Sequence, residues 1–194
     1  MSIDITSPFP LSQDSRVKGT RRLAREKTLQ VITAYEAGGS DLDLIFNHIF
    51  FREFNFGDGE EKIEKLLTPA EVLELESDVP IQWKKEEVEF ASELLRKSID
   101  NKDSIDTIID KFTANWELDR IALIDRLLLR LAIAELLYFE EIPTKVSINE
   151  AIEISKNYST DKSSNFINGV LDSVLDDLKK TGQLRKTGRG LIET

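Results

Sequence analysis

The chain has 194 residues, enough for one well-buried domain. Hydrophobic residues make up 40% and charged residues 32%, as in folded soluble proteins, and the absence of cysteine excludes disulfides and thiolate metal sites. No apolar run of the signal-peptide type begins the chain, and charges interrupt its most apolar stretch, so we expect a cytoplasmic protein that does not span the membrane.

The net charge of −10 is unevenly distributed along the chain. Residues 16–27 carry six basic side chains against one acidic, residues 179–194 carry five against one, and the acidic excess lies in residues 28–178. Charges act over about 10 Å at ordinary salt, so a bound polyanion responds to the local field. The acidic total therefore does not exclude RNA as a partner.

The first helix begins with a cluster of arginines. Residues 1–18 lack periodicity and predict a mobile N-terminal tail, and a helix follows over about residues 20–37. Arg21, Arg22 and Arg25 occupy its first turns, where cations oppose the helix dipole and repel one another. This placement suggests an anionic partner, although pairing of the arginines with carboxylates of the acidic middle explains it as well.

The middle of the chain predicts three helices and one irregular segment. Helices are expected at residues 41–52, 83–98 and 104–112. The first of these carries the only histidine, His48, which has no other residue nearby to share a metal with it. Residues 53–90 are acidic and contain glycines and prolines, and we interpret them as an insertion or an extended connection.

The most apolar helix is expected from about residue 119 to residue 138. Asp119 can cap its start, and so little polar surface remains that it should be the central buried helix of the domain. After it, Ser147 and Glu150 have the spacing of a capping box, which predicts that the next helix starts at about Ile148.

The last helix follows a polar turn at residues 157–161 and carries an apolar ridge from Phe166 to Leu178. It should pack against the preceding helix as an antiparallel pair. Gly169 in its middle costs roughly 1 kcal/mol relative to alanine, which suggests that another backbone passes close to it. Residues 181–194 are basic and unpatterned, and they predict a mobile C-terminal tail.

The sequence offers no constellation of catalytic residues. No glycine-rich phosphate loop follows a strand pattern, and the lone histidine has neither a thiol nor a serine motif around it. Neighbouring acidic residues are interpreted as solvated surface rather than as catalytic pairs. We therefore expect no enzymatic activity, no cofactor and no metal site.

Three blocks of motif stand out in chain order. They are RRLARE at 21–26 with LQ at 29–30; NW at 115–116 with DR at 125–126 and LRLA at 129–132; and KVSINEAIE at 145–153 with FINGVLD at 166–172. Together they resemble the NusB family of bacterial transcription antitermination factors. The resemblance covers roughly residues 20–52 and 104–178.

The helical patterns predict an all-α protein, and the resemblance implies the NusB fold. In that fold about seven or eight helices form two small bundles packed together, here within residues 19–180. The resemblance also implies binding of boxA, an element of nascent ribosomal RNA, jointly with the small-subunit ribosomal protein NusE. This complex makes RNA polymerase resist termination, and the chain can act in it as a monomer or a homodimer.

The resemblance assigns RNA binding to residues near the starts of the first and last helices and before the central one. They are Arg21, Arg22, Arg25, Trp116, Lys162, Ser163, Asn165 and Phe166. Relatives commonly have an acidic residue at the position of Lys162, so the local charge order is altered here. Phe166 also starts an apolar ridge, as a core residue would, but we expect it to be partly exposed beside the arginine helix.

Two other functions remain as alternatives. The chain can be a helical protein-interaction module without RNA binding, in which the basic cluster serves solubility or internal pairing. It can also resemble the NusB-like domain of ribosomal RNA cytosine methyltransferases, but the sequence contains no glycine-rich cofactor domain, which disfavours that alternative.

Overall fold

The computed structural model describes residues 17–38, 41–51, 81–113, 121–160 and 162–192. These residues form seven α-helices, which are α1 (Arg21–Gly38), α2 (Leu42–Phe51), α3 (Lys85–Asp100), α4 (Lys102–Thr113), α5 (Leu123–Tyr138), α6 (Thr144–Tyr158) and α7 (Ser163–Lys180). Two short strands, β1 (Val17–Lys18) and β2 (Ile81–Gln82), pair in parallel, and a 3₁₀ turn spans Gly188–Leu191. The predicted all-α fold class is confirmed.

Helix α5 lies at the centre of the fold, as its apolar sequence predicts. Every residue from Leu127 to Leu136 is buried. It packs against α1, α3, α4, α6 and α7, so it connects most of the described helices. Each fully buried aliphatic side chain contributes about 1.5–3 kcal/mol, and α5 carries more buried hydrophobic residues than any other described helix.

Charged residues within α5 bind the helices around it. Arg130 is 2% exposed, and its guanidinium donates to Asp106 of α4 and to Glu36 of α1. Asp125 and Glu135, also buried, bind groups on α7, α1 and α6. Because an unpaired buried charge is costly, these three positions favour one arrangement of the surrounding helices.

Helices α1 and α6 run side by side in the same direction. Arg22 binds Glu150 near their starts, and Gln30 binds Tyr158 two turns further along both helices. The surface between these two pairs of residues is called the α1–α6 face below.

The last turn of α5 lies beside the first turns of α1 and α6, since Glu135 binds both Arg25 and Ser147. We call this end of the domain, with residues 21–25, 135–140 and 144–150, the arginine end.

Helix α6 begins at Thr144, earlier than the predicted start at Ile148. The capping box expected from Ser147 and Glu150 does not form there. The Ser147 hydroxyl is buried and donates to Glu135 Oε1 at 2.7 Å, and the Glu150 carboxylate accepts from α1. Tertiary partners outcompete the local cap because they satisfy charges that would otherwise be buried without a partner.

Three further expectations bear on the helix pair at the C-terminus. Helices α6 and α7 pack on each other, as predicted, although α6 continues to Tyr158 instead of ending before the turn at 157–161. The expected close approach to Gly169 is wrong, because nothing lies within 4 Å of the position of a Cβ there. The predicted cap at Asp119 lies outside the described residues.

The chain after α7 follows a defined path as far as Ile192. Gly182, with φ of 68°, closes the helix, and the amides of Gln183 and Leu184 both donate to the Leu178 carbonyl. A left-handed residue with these bonds is a common helix ending. We call residues 183–192 the C-terminal segment; it falls within the tail that was predicted to be mobile.

The C-terminal segment lies against the connection between α5 and α6. Lys186 Nζ donates to the carbonyl of Phe139 at 2.8 Å, and the Thr187 amide donates to the carbonyl of Glu140 at 2.9 Å. Gly190 is buried so closely that a Cβ would lie 1.9 Å from the Glu140 oxygen.

None of the helices described here combines the length and apolar character that a bilayer crossing requires.

Candidate nucleic-acid interface

The start of α1 is held by the strand pair before it. Thr20 Oγ1 accepts from the Leu23 amide at 3.1 Å, which caps the helix. The Gly19 amide donates to the Gln82 carbonyl at 2.8 Å, and Gly19 lies so close to Trp83 that a Cβ would be 2.5 Å from the indole ring. The first arginines of α1 are therefore presented from a well-anchored turn.

Arg21 is exposed and makes no ion pair with any carboxylate of the described residues. Its guanidinium lies over the ring of Phe90, with Cζ 4.4 Å from the centroid. Such a cation–π contact contributes about 0.5–1 kcal/mol at an exposed site and orients the side chain. No carboxylate of the described residues takes its N–H groups, so they remain available to an anion.

Arg22 is half-exposed, and its N–H donors are divided between Glu150 and the solvent. Its Nε and Nη2 donate to the two oxygens of Glu150 at 3.0 and 2.8 Å, and the side chain is 52% exposed. The hydrogen bond to Glu150 and its charge raise the pKa of Arg22. Two of the five N–H groups face Glu150, so three remain for a phosphate while the carboxylate holds the guanidinium in place.

Arg25 is enclosed by protein. Its side chain is 8% exposed, and its Nε and Nη2 donate to Glu135 at 2.8 and 2.7 Å. Ser147 donates to the same carboxylate, Glu150 lies 3.8 Å away, and the Phe90 ring covers the guanidinium at 5.0 Å. The phosphate contact assigned to Arg25 does not fit this geometry, because RNA would have to displace a buried bidentate ion pair.

Ser163, at the start of α7, is also buried. It is 3% exposed, and its Oγ donates to Asp125 Oδ2 at 2.7 Å. The hydroxyls of Ser159 and Thr160 lie 2.9 and 2.8 Å from Ser163 Oγ. These contacts fasten the turn between α6 and α7 to the start of α5, so a direct contact of this hydroxyl with RNA does not fit either.

The other residues predicted near this turn are accessible. Lys162 and Asn165 are exposed, and Phe166 is half-buried against the core. The partial exposure of Phe166 agrees with the expectation, but its place differs, since the start of α7 lies at the end of the domain opposite to Arg21. Trp116, the remaining predicted contact, lies outside the described residues.

The α1–α6 face connects these two groups of predicted residues. The eight residues from Glu150 to Tyr158 span about 12 Å of helix. Near the far end Tyr158 Oη accepts from Gln30 at 3.2 Å and donates to Glu26 at 3.4 Å, and burial raises the pKa of the Tyr158 hydroxyl. The site is therefore an elongated surface, with arginines at one end and Lys162 at the other.

Three residues that shape the arginine end were not predicted from the sequence. Glu135 and Ser147 hold Arg25, and Phe90 supports Arg21. Glu135 carries a detectable signal, because a carboxylate within an otherwise apolar helix must find a cation. Phe90 carries none, since nothing in α3 distinguishes it from other core residues.

Among the described residues no group of three or more metal-binding side chains comes together.

The contrast between Arg25 and Arg22 predicts different effects on stability. Arg25→Gln leaves the Glu135 carboxylate, 2% exposed, without its cation, and should lower the free energy of unfolding by about 3–5 kcal/mol. Arg22→Gln is the matched control and should cost less than about 1 kcal/mol, because Arg22 is half-exposed. Urea denaturation followed by circular dichroism measures both, and equal losses would contradict the structural role of Arg25.

Comparisons with known proteins agree with this fold. The chain is 41% identical to the transcription antitermination protein NusB of Chloroherpeton thalassium over 174 residues, which are 90% of this chain and 70% of that one. The solved structure of T. maritima NusB is 30% identical, with a TM-score of 0.62, and the match covers 83% of this chain and 94% of that chain.

A second similar structure is that of the antitermination factors NusB and NusE in complex with double-stranded RNA. It is 21% identical with a TM-score of 0.58, and the match covers 81% of this chain and 96% of that chain, so it supports the fold alone. The model of the NusB family matches residues 22–176. The chain therefore belongs to the NusB family.

Proposed function

We propose that this protein is a transcription antitermination factor that binds the boxA element of nascent ribosomal RNA together with NusE, and so makes RNA polymerase resist termination. The observation that carries the proposal is the pair of exposed arginines, Arg21 and Arg22, at the start of α1 in a chain of the NusB family. Both guanidiniums have a supported position and N–H groups left for a phosphate.

The α1–α6 face suits a single strand better than a duplex. It is a surface between two parallel helices, with phosphate-binding groups at the arginine end, about 12 Å of helix from Glu150 to Tyr158, and Lys162 past Tyr158. Sequence-specific recognition of RNA acts mainly on single strands, whose unstacked bases can meet side chains. Half-buried Phe166, one turn into α7, is the aromatic residue that we assign to base stacking.

The charge distribution also favours binding of RNA at the arginine end. Most of the acidic residues lie in the body of the chain, so phosphates are repelled from other faces and drawn to the arginine end. Glu150 lies within this end, but Arg22 and Arg25 both approach its carboxylate and offset its charge. The same acidic body favours NusE, a small ribosomal protein of basic character, as the partner that completes the surface.

A helical interaction module without RNA binding is the second candidate function. It accounts for Arg25, which forms an internal ion pair with Glu135, but it gives Arg21 no anionic partner. Filter binding of a boxA oligonucleotide, single-stranded and as a duplex, at two salt concentrations separates the candidates. Absence of binding to both forms would favour the interaction module.

The arginine assignment predicts the salt dependence of binding. Each phosphate contact adds roughly 0.7 to the slope of log affinity against log salt for single strands. The double variant Arg21→Gln/Arg22→Gln should therefore lower the slope by about 1.4 and leave the urea midpoint nearly unchanged.

The matched control for this experiment is Lys102→Gln/Lys111→Gln. It removes the same charge from exposed side chains of α4, where Lys102 pairs with Glu36 at the last turn of α1 and Lys111 pairs with Asp177. Its slope should stay near that of the wild type. A slope that falls equally in both double variants would mean that net charge, rather than the arginine end, determines binding.

Phe166→Ala tests the stacking role. Loss of base stacking should weaken RNA binding by roughly 1–3 kcal/mol. The free energy of unfolding should fall by less than the 3–5 kcal/mol of a core phenylalanine, because the residue is half-buried. Leu171→Ala, at a fully buried position of the same helix, should show the reverse, with lower stability and normal RNA binding by the folded fraction.

NusE should raise the RNA affinity of this protein, because the two proteins together offer more phosphate contacts than the acidic chain alone. The coupling must be reciprocal, so RNA should tighten NusE binding by the same factor. Titration calorimetry of each ligand, with and without the other, measures both factors. Independent binding of RNA and NusE would contradict a shared surface.

A further inference from the structure

Several cations of the described residues form ion pairs with carboxylates, whereas Arg185 and Arg189 of the C-terminal segment form none with the described carboxylates. The paired ones include Arg22, Arg25, Lys85, Lys102, Lys111, Arg126, Arg130 and Lys156. Arg185 and Arg189 are exposed, and no carboxylate of the described chain lies within salt-bridge distance of either. In a protein of net charge −10, two guanidiniums without a counter-ion offer a site for an outside anion.

The backbone that carries these arginines is held at two points. Between them in sequence, Lys186 Nζ donates to the carbonyls of Phe139 at 2.8 Å and Glu135 at 3.4 Å. These carbonyls end α5, where a cation is favoured by the helix dipole. The second point is Gly190, which is buried against the Glu140 carbonyl. Arg185 therefore directly precedes the anchored stretch at 186–190, and Arg189 lies within it.

The anchored stretch lies at the arginine end. Arg21 stacks on Phe90 at 4.4 Å, and Phe90 meets Phe139 edge to face at 5.3 Å between centroids. Lys186 then binds the Phe139 carbonyl. A second chain of contacts between α1 and the C-terminal segment is shorter. Arg25 binds the Glu135 carboxylate, and Lys186 approaches the Glu135 carbonyl. The C-terminal segment therefore borders the arginine end.

Acidic side chains near the segment act on its anchoring lysine. Burial lowers the pKa of Lys186, whereas the charges of Glu135, Glu141 and Glu140 raise it. Glu135 also forms an ion pair with Arg25. None of these acids lies within salt-bridge distance of Arg185 or Arg189.

We propose that Arg185 and Arg189 form an additional phosphate-binding site that extends the RNA surface past the arginine end. The strand that crosses the α1–α6 face continues beyond Arg21, and the next phosphates meet the C-terminal segment. The site takes single-stranded RNA through its backbone, without base specificity. The proposal rests on the RNA binding proposed above, and it concerns residues beyond position 176, where the match to the family model ends.

The test compares three RNAs, the boxA core alone and the core extended at either end. With the wild type, one extended RNA should give a steeper salt slope than the core. The double variant Arg185→Gln/Arg189→Gln should lower that slope by about 1.4, for two lost contacts. Over a fourfold rise in salt, the wild-type affinity for the extended RNA should fall about sevenfold more than that of the variant. Binding of the core should not change.

Gly190→Ala tests whether Arg185 and Arg189 must be held in place or whether their charge alone is enough. The added methyl group would meet the Glu140 carbonyl at 1.9 Å, so the segment must leave its place while both arginines and the net charge are kept. We expect this variant also to lose the extra slope on the extended RNA. Circular dichroism and the urea midpoint check that the helices remain intact. A wild-type slope in Gly190→Ala would overturn the fixed site.

The outcomes distinguish this inference from the proposed function. If the wild type binds none of the RNAs, the proposed function fails. If binding depends on Arg21 and Arg22 but Arg185→Gln/Arg189→Gln behaves as wild type on both extended RNAs, only the additional site is overturned. Lys102→Gln/Lys111→Gln again controls for net charge, and an equal loss of slope in that variant would also overturn the additional site.

Discussion

The arrangement of the arginine end depends on one buried carboxylate. Glu135 receives two hydrogen bonds from Arg25 and one from Ser147, and its own carbonyl approaches Lys186. Four elements, namely α1, α5, α6 and the C-terminal segment, therefore meet at one residue. Because a carboxylate that is 2% exposed must keep its cation, Arg25 stays inside. The neighbouring arginines of the same cluster are left to face solvent.

Buried charged residues that bind neighbouring helices occur along α5 at intervals of five residues. Asp125 binds Ser163 of α7, Arg130 binds Asp106 of α4, and Glu135 binds α1 and α6. Apolar burial supplies most of the stability of this helix, but apolar contacts tolerate more than one packing. The three buried charges specify which helix lies on which side. The orientation of the proposed RNA surface thus follows from residues that do not lie on it.

The sequence predicted the helices and the central position of α5 because apolar periodicity reports directly on burial. It did not separate Arg25 from Arg22, because both lie in one basic cluster and only the position of Glu135 on another helix distinguishes them. The predicted start of α6 failed for the same reason, since Ser147 binds that distant carboxylate. The close approach expected at Gly169 is absent, because a glycine can also occupy an open position on a helix.

The described residues on either side of the segment at residues 52–80 meet in the folded chain. Trp83 Nε1 donates to the carbonyl of Phe50 at 3.1 Å, and its ring lies 5.0 Å from that of Phe50. Trp83 also packs on Gly19, just before the arginines. The cost of closing a loop between fixed ends grows only with the logarithm of its length. Lineages can therefore lengthen or shorten this segment without disturbing α1, which makes it a natural place for divergence within the family.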